Sequence, residues 1–296
     1  MTKKNHKTWV VIAIIVTTIS GCRSTDEYKK FAEAGKTFAE ATNSLLGDAE
    51  QITINTTSER LLSYRITSGK FQPNDEVAQK LVNHYNELSE KDKERLELIN
   101  ELRKHNQFLQ DYFSKLIELA GSDSPDRSKA AVESIANSLQ NSGNKLVSLS
   151  PIKIDRLLSV TKIVLDARIN GAIKEELQKR KDTIYQEITI QEKVLKELGE
   201  SLEGDIKTLR NLQEYRLVVQ PLTQPEEVNA DTWIEARYNV MTRNADVITK
   251  INDASDKLAK FKEFFIASIE GDLTSKRLHD FIQETNSFSA FVFEQK

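Results

Sequence analysis

Residues able to do chemistry are sparse in this chain, and their spacing limits what they can do together. Cys22 is the only cysteine, so neither an internal disulfide nor a cluster of thiolate metal ligands can form. The histidines are His6, His84, His105 and His279. His84 and His105 fall on one stripe of a helix if both lie on it, but about 30 Å apart, too far to share an ion. Glu101 and His105 stand at i,i+4, a spacing that fits a surface pair better than a metal site. His279 is followed by Asp280 and has no partner at ligand spacing.

Three short patterns match fragments of catalytic signatures. Gly35-Lys36-Thr37 resembles the end of a phosphate-binding loop, but Lys30 stands where that loop needs glycine and no strand pattern precedes it. Ser159-Val160-Thr161-Lys162 resembles the Ser-x-x-Lys of penicillin-recognising enzymes, whose companion Ser-Asp-Asn and Lys-Thr-Gly signatures are missing. Glu133-Ser134 resembles the catalytic pair of helical lytic transglycosylases. That resemblance implies a glutamic acid of raised pKa acting as general acid. The Gly-Leu-Met-Gln stretch expected after it is absent, and the chain reads Leu139-Gln140-Asn141-Ser142-Gly143. All three read as ordinary helix positions, so no catalytic residue, cofactor ligand or metal ligand is assigned.

Cys22 is different, because its context is ordered. Residues 1–9 hold Lys3, Lys4 and Lys7 and no acid, a positively charged start. Val10 to Ile19 is mostly apolar and about ten residues long, against the roughly 20 that a membrane span needs. Ile19-Ser20-Gly21-Cys22 then resembles the lipobox of bacterial lipoproteins, with small residues before the cysteine. The resemblance covers residues 1–22. It implies a leader over 1–21, recognition of Ile19, Ser20 and Gly21 by the peptidase, and acylation of Cys22. Two or more acyl chains hold a protein durably where one does not, at about 0.8 kcal/mol per buried CH₂. In diderm lipoproteins the residue after the cysteine influences sorting. Arg23 in that place implies the outer membrane, facing the periplasm.

Loss of the leader removes three lysines and takes the formal charge from −3 to −6. That mild acidity gives no basic patch for nucleic acid. Charged residues make up 29% of the chain with only ten glycines and five prolines, a balance that suits long, solvent-exposed helices.

Those helices can be placed from the apolar spacing, which predicts an all-α fold: an elongated antiparallel bundle of long, coiled-coil-like helices over 22–296. A first helix is expected over about 25–67, weak in its centre where Ile52 to Thr57 is rich in β-branched residues. A second is expected over 74–120, with Leu81, Tyr85, Leu88, Ile99, Leu102, Leu109, Phe113 and Leu116 as its seam. Strict heptads put Asp92, Arg95 and Asn106 into that seam, where polar residues fix register. The preferred alternative moves the seam onto Leu96 and Phe108. A short helix over 125–141 is expected to stop at Asn141-Ser142-Gly143-Asn144. A long one should run from Pro151 to about Val219, bent at Gly199 and Gly204, and Pro221 and Pro225 should form the next turn. A helix over 226–271, with Ile234, Tyr238 and Met241 on its apolar side, and a last one from about Leu273 to Phe293 complete the chain.

The function expected from this reading is that of a non-enzymatic scaffold, spacer or interaction module of the cell envelope. Its partners would be membrane lipid through Cys22 and an envelope protein. A membrane-active helical protein and a peptidoglycan-acting enzyme are the alternatives. Cys22→Ser should abolish metabolic labelling of the protein by palmitate; labelling that persists would remove the anchor.

Overall fold

The computed structural model of the protein describes residues 7–67, 76–120, 125–149, 172–223, 228–242, 245–270 and 274–293. Side chains before Asp26, and a few at helix ends, lie outside that description. Every regular element among the described residues is helical: α1 (Lys7–Thr67), α2 (Glu76–Ala120), α3 (Pro125–Leu149), α4 (Ala172–Lys179), α5 (Lys181–Glu214), α6 (Gln220–Thr223), α7 (Ala230–Thr242), α8 (Ala245–Glu270) and α9 (Ser275–Phe293). A π turn, Tyr215–Val219, joins α5 to α6. The fold is an all-α bundle, and α1 alone has 61 residues, about 90 Å at 1.5 Å each. Among the described residues no helix is long and apolar enough to cross a membrane.

Cross-contacts set the directions. Gln110 meets Glu40, Arg103 meets Glu50 and Asp92 meets Thr57, so α2 descends α1. His105 meets Glu187 and Arg95 meets Asp205, so α5 climbs again. In α9, Ser275 meets Glu27, Phe281 meets Phe31 and Phe288 meets Phe38, so the last helix runs parallel to the first. The core is densest where these chain ends meet. Phe31 is wholly buried and stacks on Phe261 at 5.1 Å, with Phe113 edge-on at 6.1 Å. Tyr28 donates to the Ser268 carbonyl at 2.8 Å, and burial pushes its phenol up to about 12.

Several sequence expectations are corrected. The α1 backbone is already helical at Lys7, before the expected start near Thr25. Its centre stays helical, because Ile52, Thr53, Thr56 and Thr57 are buried and their packing outweighs weak propensity; the Thr53 and Thr56 hydroxyls donate to the carbonyls of Ala49 and Ile52 at 2.9 and 2.8 Å. α3 runs unbroken through Asn141 to Asn144. Gly143 serves close approach there: a Cβ would overlap the Glu187 carboxylate of α5. Pro221 lies within the helical run to Thr223, since the π turn shifts the bonding so that Gln220 N–H reaches the Tyr215 carbonyl. The long helix predicted from Pro151 is described only from Ala172, and α4 and α5 meet at Arg180. α5 continues through Gly199 and Gly204, and Gly199 takes the side chain of Asn252 against its backbone. Tyr85 is exposed rather than in the seam, and so are Ile234, Tyr238 and Met241.

Phe31→Ala should cost about 3–5 kcal/mol in urea unfolding, the range for deleting a buried aromatic ring. A loss below 1 kcal/mol would show that the aromatic cluster is not what closes the bundle.

Candidate functional site

The polar residues that the structure gathers lie inside the bundle, next to the aromatic cluster. α2 contributes Glu101, His105 and Asn106, which share the buried face with Ile99, Leu102 and Leu109. α5 contributes Glu187 and Gln191, one turn apart. α3 contributes Ser142, Gly143 and Lys145, and α1 offers the Ala39 carbonyl. His105 Nε2 and Glu187 Oε2 share a hydrogen bond at 2.9 Å, and neither side chain is more than 1% exposed. Asn106 donates to the Ala39 carbonyl and accepts from Gln191 Nε2 at 2.9 Å. Glu101 accepts from Lys145 Nζ at 2.7 Å. One layer thereby ties α1, α2, α3 and α5 together.

The layer is incompletely satisfied. His105 Nδ1, Glu187 Oε1, Gln191 Oε1 and Ser142 Oγ are buried with no hydrogen-bond partner among the described residues. Burial pushes the Glu187 carboxyl above its ordinary range, and the hydrogen bond and charge of His105 pull it part of the way back. Such a carboxyl holds its proton more tightly in the folded chain than in the unfolded one. Its ionisation therefore opposes folding above the folded pKa, and the cost fades as pH falls through that value toward the usual carboxylate range.

A second polar level lies about four turns further along. Asp205 of α5 accepts from Arg60 of α1 at 3.0 Å and from Arg95 of α2. Thr57 donates to Asp92 at 2.7 Å, and burial raises the Asp92 carboxyl. The expected shift of the seam onto Leu96 and Phe108 is thus overturned. Asn106 is buried, Arg95 and Asp92 are half-buried and bonded across helices, and Leu96 and Phe108 are themselves only half-buried. The reason is that α1 and α5 offer the Ala39 carbonyl, the Asp205 carboxylate and the Thr57 hydroxyl to these polar side chains.

The sequence candidates are distributed differently from the expectation. Glu101 and His105 do not make the expected surface pair; one faces Lys145 and the other Glu187. Gly35 lies within α1, where a Cβ would meet the Phe113 ring at 2.9 Å, so it serves packing. Lys36 lies 3.9 Å from Glu40. Glu133 is exposed, 3.2 Å from Arg180. His84 lies against the Tyr64 ring, and His279 is exposed on α9. Ser159 to Lys162 lie outside the described residues, as do the side chains of Ile19, Ser20, Gly21 and Cys22. Sequence reasoning missed Glu187, Gln191 and Asp205. The available signal was their place on the apolar face of α5, among Ile184, Ile188, Leu195 and Leu202.

A sealed imidazole–carboxylate pair of this kind meets no solute; what it can do is fix helix register. Among the described residues no group of three or more His, Cys, Asp or Glu side chains is placed to hold a metal ion. What the fold and this layer define is an all-α bundle with a buried polar girdle. No protein-family model, curated protein or solved structure matches the chain.

His105→Ala should destabilise the protein by about 3–5 kcal/mol, because it strands a buried carboxylate. Glu187→Gln should instead be at least as stable as the parent at pH 8, with its advantage shrinking at pH 5. Urea unfolding at both pH values reads the difference, and an equal loss at both would show that ionised Glu187 carries no cost.

Proposed function

We propose that this is a lipid-anchored helical spacer of the cell envelope, which presents a surface to a partner protein and performs no chemistry. The observation that carries the reading is the place of Cys22. It follows a basic start and a short apolar run, and it lies on α1, the helix against which α2, α5, α8 and α9 all pack. An acyl group on Cys22 would fix the foot of the element that organises the bundle. From Asp26 to Thr67, α1 would carry that bundle about 60 Å from its foot. Arg23 favours the outer membrane of a diderm cell, with the body in the periplasm.

The interior supports a mechanical role. Its buried ionisable groups are spent on joining helices, as in His105–Glu187 and Arg60–Asp205–Arg95. The exposed Glu133, the general acid of the enzymatic alternative, is engaged with Arg180.

Purified full-length protein should neither digest sacculi nor release dye from liposomes, while photo-crosslinkers on its exposed faces should trap a protein in cells. Sacculus digestion lost in Glu133→Gln would replace this reading with an envelope enzyme, and liposome leakage would replace it with a membrane-active protein.

A further inference from the structure

His105 and Glu187 form the most deeply buried ionisable pair among the described residues. They bond α2 to α5, and the backbone of α3 closes over them at Gly143, where a Cβ would overlap the carboxylate. The other charged groups at this level have partners of their own. On α2, Glu101 stands one turn before His105 and accepts from Lys145 of α3. α1 meets the layer through the Ala39 carbonyl, while its Glu40 and Glu50 are bonded to Gln110 and Arg103. On α5, Glu192 holds Lys262 of α8. Among the described residues, His105 is the one group whose charge acts on the Glu187 carboxyl.

Net charge in so dry a place is costly, so the pair is most stable when it carries none. It then holds one proton in all, whichever partner carries it. The unfolded chain holds one proton on these two groups only between the ordinary values of glutamate and histidine, about 4.3 and 6.5. Above that range the unfolded chain has lost its proton while the pair keeps one, so stability falls as pH rises. Below it the unfolded chain takes a second proton that the pair resists, so stability falls as pH drops. The burial that pushes the Glu187 carboxyl above its ordinary range acts in the same sense at the alkaline side. The pair therefore contributes most in mild acid.

Relief in alkali has a direction. α3 packs mainly on α2 and α5, carries no aromatic residue, and takes no part in the Phe31 cluster that joins α1, α2, α8 and α9. Above Glu187 it presents only the backbone of Gly143. Lifting α3 there would bring water to a charged carboxylate and to Glu187 Oε1 and Ser142 Oγ, which are buried without a partner. That hydration offsets part of the cost of opening. We propose that His105 and Glu187 form a pH-sensitive latch that keeps α3 closed over α2 and α5 in mild acid and releases it in alkali. The device needs no acyl group and is independent of the spacer reading.

Hydrogen exchange of the full-length protein tests the latch, read peptide by peptide at pH 6 and pH 8.5 and corrected for the intrinsic exchange rate. Protection of residues 125–149 should fall at least about tenfold between the two, the change produced by one proton held over one pH unit. Protection around Phe31 and Phe261 should stay unchanged. Glu187→Gln, which cannot ionise, should show no such fall in residues 125–149. A fall of the same size in Glu187→Gln, no fall in the parent, or a fall shared equally by the Phe31 region would overturn the proposal. The His105 imidazole, followed by NMR in isotope-labelled parent protein, gives a second reading that needs no variant. Its resonances should hold steady from pH 5 to pH 7. A proton gained or lost by the pair in that range, with α3 still protected, would also overturn the latch.

Discussion

The ring of Phe31 holds this bundle together at one end. It has no exposed surface and touches Phe113 of α2, Phe261 and Phe265 of α8, and Phe281 of α9. Each buried ring contributes about 1.5–3 kcal/mol, and the edge-to-face pairs add to that. The contacts span residues 31 to 281, so they cannot form until both ends of the chain have come together. Gly35 is part of the same arrangement, since Phe113 reaches Phe31 by lying across the backbone of α1 where a methyl group would stand. The aromatic cluster therefore sits at the end of the described bundle where α1 begins.

Farther along, packing alone would define the alignment poorly. Leucine and isoleucine seams of long helices accept slippage by a heptad, because one aliphatic layer resembles the next. The His105–Glu187 and Gln191–Asn106–Ala39 contacts do not, since a shift would leave each group buried and alone. The cost of burying a carboxylate is offset by a unique register. Gly143 admits Glu187, and the Asp205 level repeats the device with two arginines.

Much of this was legible residue by residue. The spacing of Phe31, Ala34, Phe38, Ala41 and Leu45 marks the inner face of α1, and all five are buried. In the C-terminal helix Phe288 is buried against Phe38, whereas Phe293 is exposed. The failures are also particular. Gly143 signals a helix stop because glycine is costly in an isolated helix, yet here it makes room for Glu187 of a neighbouring helix. Pro221 signals a turn, yet it lies in a helical run that follows a π turn in which Gln220 N–H reaches the Tyr215 carbonyl. Ile234, Tyr238 and Met241 have the spacing of an inward seam, yet all three are exposed, because nothing within one helix tells which seam is filled.

From the sequence came the helical class, the inner faces of most helices, and the lipobox resemblance around Cys22. Tertiary structure settled which polar residues lie inside, why Gly143 and Gly35 are glycines, and which apolar side chains are exposed among the described residues. The division has one physical cause. Periodicity fixes the angle of a side chain about its own helix axis, which is a local property. Whether Asn106 meets a carbonyl or water depends on groups 67 and 85 residues away, and only the assembled bundle brings them within hydrogen-bond reach.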